Sequence, residues 1–362
     1  MRRSIVVLVL VLAASLAACG TSSPSSTSTS TSSPSTAVHV TSRHTATGVD
    51  QLSSISCPTA TLCEAVGSNA LNGEGVVVTV TDGSPGAPHL VNGTKSLLSV
   101  SCPTSTTCEA AGVGGGHGVV VPITGGAPGT PQVVQGMATL QTISCSSASA
   151  SACQAGGRAA DSGAVSTGTV VHPVFATTSV NAIDCPDANC TSVASTSNGK
   201  YNDVLVPVTA GIPGNFRAVP PGTSTFSAIA CPAASSCVVV GRGVRDIKGK
   251  NTPEAVVLTV NSGKPGRLVG VTDSSTLLLQ AMACAGSREC VAVGTNGSAS
   301  GTTTTGHGVF LSVSGGVPGS LQSLSGPPVA LDGIACPTAS TCEAVGDAGN
   351  GAAAVVVTLS TS

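Results

Sequence analysis

A stretch with two cysteines and a closing glycine recurs along this chain and constrains its fold more than any other feature. It is written CPTATLCEAVG at 57–67, CPTSTTCEAAG at 102–112 and CPTASTCEAVG at 336–346. With drift, the paired cysteines occur seven times, at Cys57/Cys63, Cys102/Cys108, Cys145/Cys153, Cys185/Cys190, Cys231/Cys237, Cys284/Cys290 and Cys336/Cys342. The first cysteines of successive pairs are 40 to 53 residues apart. This period indicates an array of equivalent units.

Each repeat contains short stretches with the residue types of β-strands. In the first repeat they are LSSISC (52–57), CEAVG (63–67), GVVVTVT (75–81) and HLVNG (89–93). A Gly-x-Pro-Gly sequence, absent from the third and seventh repeats, predicts a turn between the last two strands, because proline presets φ and glycine accepts positive φ. We therefore predict an all-β fold, a seven-bladed β-propeller with four-stranded blades. An open stack of β units is the alternative.

The two ends of the chain predict how the ring closes. After CEAVG and AAAVVVTLS the seventh repeat stops at Ser362 without a fourth strand. The segment AVHVT (37–41) precedes the first repeat and belongs to no repeat of its own. We expect this N-terminal strand to complete the last blade, which would leave only short, protected sheet edges.

The repeats resemble those of seven-bladed β-propellers generally and, distantly, those of Asp-box propellers found in sialidase-like proteins. The resemblance covers residues 37–362. Only the first repeat keeps an aspartate at the third-strand turn, Asp82, and the aromatic residue that usually ends an Asp box is absent. The resemblance therefore implies the fold and none of that family's chemistry.

The N-terminus is typical of an exported protein. Arg2 and Arg3 precede an apolar run of secretory-signal length, and the sequence Leu-Ala-Ala-Cys at 16–19 resembles the lipobox of bacterial lipoproteins. This resemblance implies a signal peptide over 1–18, a lipid on Cys19, and attachment to the extracytoplasmic face of a bacterial membrane. An ordinary cleaved signal is the alternative. Residues 19–36 form a Ser/Thr/Pro-rich tether expected to be disordered, followed by the propeller at 37–362.

The 14 cysteines other than Cys19 are expected to form one disulfide per blade. Each pair brackets the link between the first and second strands, where residues of a hairpin lie opposite one another. An exported protein is also in the compartment where disulfides persist. Metal binding or redox catalysis is the competing interpretation, but neither a C-x-x-C motif nor a nearby second pair occurs.

The sequence contains little that predicts catalysis, and we expect no cofactor. Residues 19–362 hold 12 basic and 16 acidic residues, a net charge of −4, which argues against nucleic-acid binding. A sialidase-type site would need a tyrosine nucleophile and an arginine cluster, yet Tyr201 is the only tyrosine. Glu64, Glu109 and Glu343 occupy one repeat position, where we expect solvated side chains rather than catalytic acids.

Variation is concentrated in the links between second and third strands, which are long in the fifth repeat (242–254) and the sixth (295–308). Variable loops on a rigid scaffold commonly carry function. The link at 242–254 holds the densest charge cluster, and its basic residues are Arg242, Arg245, Lys248 and Lys250. We predict a binding loop here, with an ordinary solvated loop as the alternative.

Two classes of function remain open. The first is a non-enzymatic, monomeric binding scaffold that is held at the membrane by its lipid and binds a protein or another envelope component. The second is an envelope polysaccharide hydrolase or lyase with its site in the propeller funnel. An enzyme would bring several acids or bases together on one face, whereas a binding protein need not. A mainly structural envelope protein is a third interpretation.

Overall fold

The computed structural model describes residues 37–361, except 70–72, 147–152, 197–202, 222, 248–249, 272–276, 301–302 and 350–352. Within these residues the chain forms seven antiparallel sheets and no helix. The described part accordingly contains no helix with the length and apolar character needed to cross a membrane. The predicted signal peptide (1–18), Cys19 and the tether (19–36) lie outside the described residues.

Each sheet is one blade, and in blades 1 to 6 the strands follow one another outward from the centre in chain order. Blade 1 comprises β2 (Gln51–Ser56), β3 (Leu62–Asn69), β4 (Glu74–Thr81), β5 (Ser84–Pro85) and β6 (His89–Val91). Blade 2 comprises β7 (Ser96–Ser101), β8 (Thr107–Gly114), β9 (His117–Thr124), β10 (Ala127–Pro128) and β11 (Gln132–Val133). Blade 3 comprises β12 (Met137–Cys145), β13 (Cys153–Ala159), β14 (Gly163–Thr167) and β15 (Val170–Val174).

The remaining blades continue the same order. Blade 4 comprises β16 (Thr177–Asp184), β17 (Asn189–Thr196), β18 (Asp203–Thr209), β19 (Ile212–Pro213) and β20 (Arg217–Ala218). Blade 5 comprises β21 (Thr223–Ala233), β22 (Ser236–Ile247), β23 (Lys250–Asn261) and β24 (Lys264–Val271). Blade 6 comprises β25 (Leu277–Cys284), β26 (Glu289–Ser300), β27 (Thr303–Ser314), β28 (Val317–Pro318) and β29 (Gln322–Ser323). Blade 7 comprises β30 (Ala330–Ala335), β31 (Thr341–Asp347), β32 (Ala353–Thr361) and the N-terminal β1 (Val38–Thr47).

The predicted ring closure is confirmed. Strand β1 pairs antiparallel with β32, from Val38 opposite Thr361 to Thr47 opposite Ala353, so it extends further than the predicted 37–41. The first strands of successive blades contact one another around the ring, and β30 contacts β2. The N-terminal strand therefore covers the last blade's edge, which would otherwise offer unpaired N–H and C=O groups.

The predicted four-stranded blades are confirmed, and in blades 1, 2, 4 and 6 the fourth strand is divided into two short segments. Proline has no N–H to donate to a ladder, so pairing is interrupted just after the turn. The glycine after that proline donates back to the third strand instead, as from Gly86 N to Thr79 O (2.8 Å) and from Gly129 N to Pro122 O (2.7 Å). The prediction of a turn at Gly-x-Pro-Gly is confirmed.

A β-bulge explains the glycine that closes CEAVG. The first strand of blade 1 has a register shift between Leu52 and Ser54, and each other blade has one at the equivalent position. A Cβ placed on Gly67 would lie 1.9 Å from Gln51 O. The bulge thus brings the first strand's carbonyl against the second strand's Cα, where no side chain fits. Blade 4 departs from this pattern, with Ala194 at the glycine position.

The core lies between blades. Strand β4 shows that both faces of a blade are buried. Its side chains point alternately to the two faces, yet Val76, Val77, Val78 and Val80 are all fully buried. Both faces of a blade are covered by neighbouring blades, so its inner strands are continuous apolar runs. The seven apolar clusters of the described residues each join side chains of two consecutive blades.

The seven predicted disulfides are all formed, one in each blade. They join Cys57 to Cys63, Cys102 to Cys108, Cys145 to Cys153, Cys185 to Cys190, Cys231 to Cys237, Cys284 to Cys290 and Cys336 to Cys342. Their Cα–Cα distances are 3.8 to 4.1 Å. In blades 3 and 6 the two cysteines are directly opposite in the strand register. Each bond staples the innermost strand of a blade to the next strand.

The second cysteine of each pair is also a core residue, which the spacing of the cysteines does not predict. All seven second cysteines are buried, and each belongs to the apolar cluster between its blade and a neighbour. They are Cys63, Cys108, Cys153, Cys190, Cys237, Cys290 and Cys342. Cys108, Cys190 and Cys342 line none of the cavities described below. Cys237 and Cys290, by contrast, line a cavity between blades 5 and 6. All seven second cysteines help to hold the blades together.

Candidate binding surfaces

Two hairpins in adjacent blades project beyond the others, and they correct the sequence prediction of loops at 242–254 and 295–308. Strands β22 and β23 pair as far as Ile247 with Lys250, and β26 and β27 as far as Ser300 with Thr303. A hairpin pairs backbone N–H and C=O groups that a long loop would leave to solvent. The blade 5 and blade 6 hairpins therefore replace the two loops.

The extra length can be measured from the glycine opposite the bulge. Strands β22 and β26 continue six residues beyond Gly241 and Gly294, whereas β3 ends two residues beyond Gly67. Four further residues at about 3.3 Å each carry the tips roughly 13 Å beyond the blade 1 hairpin. Among the described strands, those of the two hairpins extend furthest on the face opposite the disulfides.

The predicted binding residues fall on the blade 5 hairpin. Arg242 lies near its base, opposite Ala255 and half-buried, while Arg245 pairs with Thr252 nearer the tip. Lys250 pairs with Ile247 at the last described step, and Lys248 lies outside the described residues. The structure therefore places three of the four basic residues along one hairpin. The blade 6 tip differs in composition, since its sequence SASGTTTT (298–305) carries no charge.

The central channel is lined by the first strands of all seven blades. Two cavities of about 320 and 220 Å³ follow it, the larger beside the disulfides. Hydroxyl side chains of one first strand accept hydrogen bonds from backbone N–H groups of the next blade, a ladder that sequence reasoning missed. Its bonds are Val100 N to Ser54 Oγ, Cys102 N to Ser56 Oγ, Ile143 N to Ser99 Oγ, Cys145 N to Ser101 Oγ, Ile183 N to Thr142 Oγ1 and Cys185 N to Ser144 Oγ, at 3.0 to 3.2 Å.

The two acids in the channel wall are held by structural contacts. Asp184 accepts hydrogen bonds from Cys231 N (2.6 Å), Cys185 N (2.9 Å) and Ser144 Oγ (3.2 Å), so it joins three blades. Burial raises its pKa, and these hydrogen bonds oppose the increase. Asp332 lines the other channel cavity and accepts from Gln51 Nε2 (3.0 Å). Burial raises the pKa of Asp332 to about 6.

The glutamates after the second cysteine are not solvated as predicted. Glu64 is 3% exposed and Glu343 is 6% exposed, because each lies in the cleft between its blade and the next. Thr79 Oγ1 donates to Glu64 (3.0 Å) and Thr358 Oγ1 donates to Glu343 (3.0 Å). Burial raises the pKa of both carboxyl groups, that of Glu343 to about 7.

The turn of the next blade covers these acids and explains the first glycine of Gly-x-Pro-Gly. Gly126, in blade 2, has a φ of +79°, and a Cβ there would lie 2.4 Å from Thr79 Oγ1 of blade 1. Position 83 of blade 1 lies in the same way over Glu343 and Thr358 of blade 7. A glycine is needed both for the left-handed backbone and for this close approach.

No set of converging catalytic groups is found in the part of the chain that the structure describes. The one cluster of three His, Cys, Asp or Glu side chains with neighbouring ligand atoms is Glu109 with Cys145 and Cys153. Both sulfurs belong to one disulfide, and a disulfide has no thiolate with which to bind a metal. Glu109 with this disulfide therefore does not form a metal site.

Comparison with known proteins supports the fold alone. No family model and no curated protein matches the sequence. Among solved structures, the WD40 β-propeller domain of Doa1 aligns with a TM-score of 0.58 at 12% identity, over 90% of this chain and 98% of that one. The Neurospora crassa Pan2 WD40 domain aligns with a TM-score of 0.59 at 9% identity, over 86% and 89% of the two chains. The chain is thus a seven-bladed β-propeller, similar in architecture to WD40 domains.

Proposed function

We propose that this protein is a lipid-anchored β-propeller on the extracytoplasmic face of a bacterial membrane and acts there as a non-enzymatic binding scaffold. The observation that carries the binding role is the pair of projecting hairpins in blades 5 and 6, on a ring stapled by seven disulfides. A ring stapled by disulfides holds the paired strands of both hairpins in fixed positions, which lowers the entropy lost when a partner binds. The partner is a protein or another envelope component.

The basic residues of the blade 5 hairpin are the proposed contact with that partner. Arg245 and Lys250 lie on strands β22 and β23 near the last described pair of the hairpin, and Lys248 lies between them in the sequence. Positive charge at a prominent tip attracts acidic partners and raises the rate of encounter. The sequence at the end of the blade 6 hairpin, SASGTTTT (298–305), is uncharged and rich in hydroxyl residues.

Capture from native envelope extract tests this proposal. The variant R242S/R245S/K248S/K250S is expected to lose the partner that the unchanged protein retains. A matched control removes four basic residues elsewhere, at Lys95, Arg158, Arg217 and Lys264, and should retain it at comparable net charge. Equal capture by both variants would remove the blade 5 hairpin from the proposal.

The lipid anchor needs a separate test, because Cys19 lies outside the residues that the structure describes. Cys19→Ser is expected to shift the protein from the detergent phase to the aqueous phase in a phase-partition assay and to abolish incorporation of labelled fatty acid. Unchanged partition would contradict the anchor without affecting the binding role.

The polysaccharide hydrolase or lyase is the alternative that these experiments must exclude. Its site would be in the funnel, where Asp184 and Asp332 are the acids available among the described lining residues. Asp184 already accepts three hydrogen bonds from its neighbours, which favours bracing over proton transfer. Release of reducing ends from envelope polysaccharide, lost in Asp332→Asn, would support the enzyme instead.

A further inference from the structure

The cleft between blades 5 and 6 lacks a polar side chain that three other clefts of the ring contain, and the cleft after blade 6, with Val291 at the same position, lacks it too. In blades 1, 3 and 7 the residue after the second cysteine is polar and accepts a hydrogen bond from a third-strand threonine. The third of these pairs is Gln154 with Thr167 Oγ1, at 2.7 Å. In blade 5 the same position holds Val238, although the third-strand Thr259 is kept opposite it. The blade 5–6 cleft therefore lacks the acceptor that those clefts contain.

A cavity of about 480 Å³ occupies this cleft. Its wall includes Val238 and Thr259 from blade 5 and the turn at 315–317 from blade 6. Thr259 Oγ1 accepts a hydrogen bond from Arg267 N (3.0 Å) within its own sheet, whereas Thr79 and Thr358 donate to a glutamate. The space is of the size that small-molecule sites have in proteins.

The polar groups around the cavity are mainly donors, and none of the lining side chains is acidic. Arg267 comes from blade 5 and Arg288 from blade 6, and both are exposed. The amide of Asn261 and the hydroxyls of Ser236 and Ser287 complete the polar lining. Two guanidinium groups beside an uncharged wall attract an anion, and the planar guanidinium matches a carboxylate in a two-bond geometry.

We propose that the blade 5–6 cleft binds small ligands that carry a carboxylate. The ligand's carboxylate takes the place that the chain's own side chain fills in the clefts after blades 1 and 7. Arg267 and Arg288 hold the carboxylate from the two sides of the cleft, and Asn261 and the two serines contact the rest of the ligand. Two sources of such a group fit the cavity, an acidic sugar or the C-terminus of a short peptide.

Ligand-observed NMR titration of the full chain tests the proposal with glucuronate and with N-acetyl-dialanine. Glucose and the amidated peptide are the neutral controls. We expect saturable binding with a Kd of about 1 mM by at least one of the two anions and none by its neutral counterpart. Whichever anion binds identifies the source of the carboxylate. Equal binding of the neutral compounds, or no saturation by either anion, would overturn the proposal.

Two variants examine the cleft itself. R267Q/R288Q is expected to weaken binding about tenfold or more, because charge-assisted hydrogen bonds are lost, while R158Q/R217Q, outside this cleft, should leave the affinity unchanged. Val238→Glu restores the side chain found in blades 1 and 7 and keeps both arginines. It should abolish binding by supplying the chain's own carboxylate, and undiminished binding by this variant or by R267Q/R288Q would refute the assignment.

Discussion

Replacing Glu109 by glutamine is predicted to stabilise the protein at pH 8 and to change little at pH 4. Glu109 lies against the Cys145–Cys153 disulfide of the next blade, and burial raises its pKa to about 7. Glu64 has a threonine opposite it, but Glu109 has Pro122, which has no hydroxyl to donate. The carboxylate of Glu109 is therefore ionised at a cost to stability.

The magnitude and the sign follow from the pKa. A carboxyl group whose folded pKa is about 7 instead of the ordinary 4.5 loses about 3 kcal/mol of stability when the pH rises through both values. The loss begins above about pH 4.5 and is complete above about pH 7. Because Glu109 is half-buried and partly screened by water, we expect E109Q to gain about 1 to 2 kcal/mol at pH 8. Glutamine fits this position, as Gln154 shows in blade 3.

Urea unfolding with the disulfides intact measures the effect at pH 4 and at pH 8. The quantity compared is the difference between E109Q and the unchanged protein, since Glu343 and Asp332 contribute to both. Asp161→Asn, at an exposed acid, controls for the change in net charge. The reasoning fails if E109Q gains the same stability at both pH values, or if it is less stable than the unchanged protein at pH 8.

Three further outcomes are expected. Replacing Cys57 and Cys63 together by serine should lower the free energy of unfolding in urea by about 2 kcal/mol, as closure of a short loop predicts. A loss near zero would show that this disulfide does not stabilise the blade. Deleting 37–47 should expose the edge of the last blade and give oligomers in size-exclusion chromatography, whereas a stable monomer would contradict closure by β1. Gly126→Ala should lower the thermal midpoint more than Gly125→Ala, because both have positive φ but only the former meets a neighbouring blade; equal shifts would show that the close approach has no energetic weight.

The repeat pattern of the sequence predicts most of the fold. Cysteine spacing, alternating apolar residues and the Gly-x-Pro-Gly turns determine the number of blades, the disulfides and the closing strand. These features are local, or they repeat, and each repeat supports the interpretation of the others. The division of the fourth strand in blades 1, 2, 4 and 6 was not predicted, because residue types alone do not show where pairing beside a proline is interrupted.

The sites were predicted less completely, for physical reasons that differ between residues. Arg245 and Lys250 lie on the two strands of one hairpin, whose extent depends on cross-strand pairing that composition does not show. The burial of Glu64 depends on the turn of the next blade at Gly126, 62 residues away in the chain. The sequence does show Val238 at a position where three other repeats have a glutamate. That this position faces the cleft between two blades is known only from the packing of the blades.

The hydroxyl ladder divides the ring in a way that relates the two proposed binding surfaces. Side-chain oxygens on the first strands of blades 1 to 4 brace the next blade in each case. In blades 5, 6 and 7 the equivalent residues cannot accept a hydrogen bond through a side chain, and they are Ala228, Ala230, Ala281, Ala283, Gly333 and Ala335. The interfaces between blades 5 and 6 and between blades 6 and 7 contain apolar packing around Leu279 and Leu331, whereas Asp332 of blade 7 accepts a hydrogen bond from Gln51 of blade 1. Apolar packing is less directional than hydrogen bonding. Both proposed surfaces lie in blades 5 and 6. A longer hairpin or a cavity between blades therefore disturbs fewer directional hydrogen bonds there than it would in blades 1 to 4.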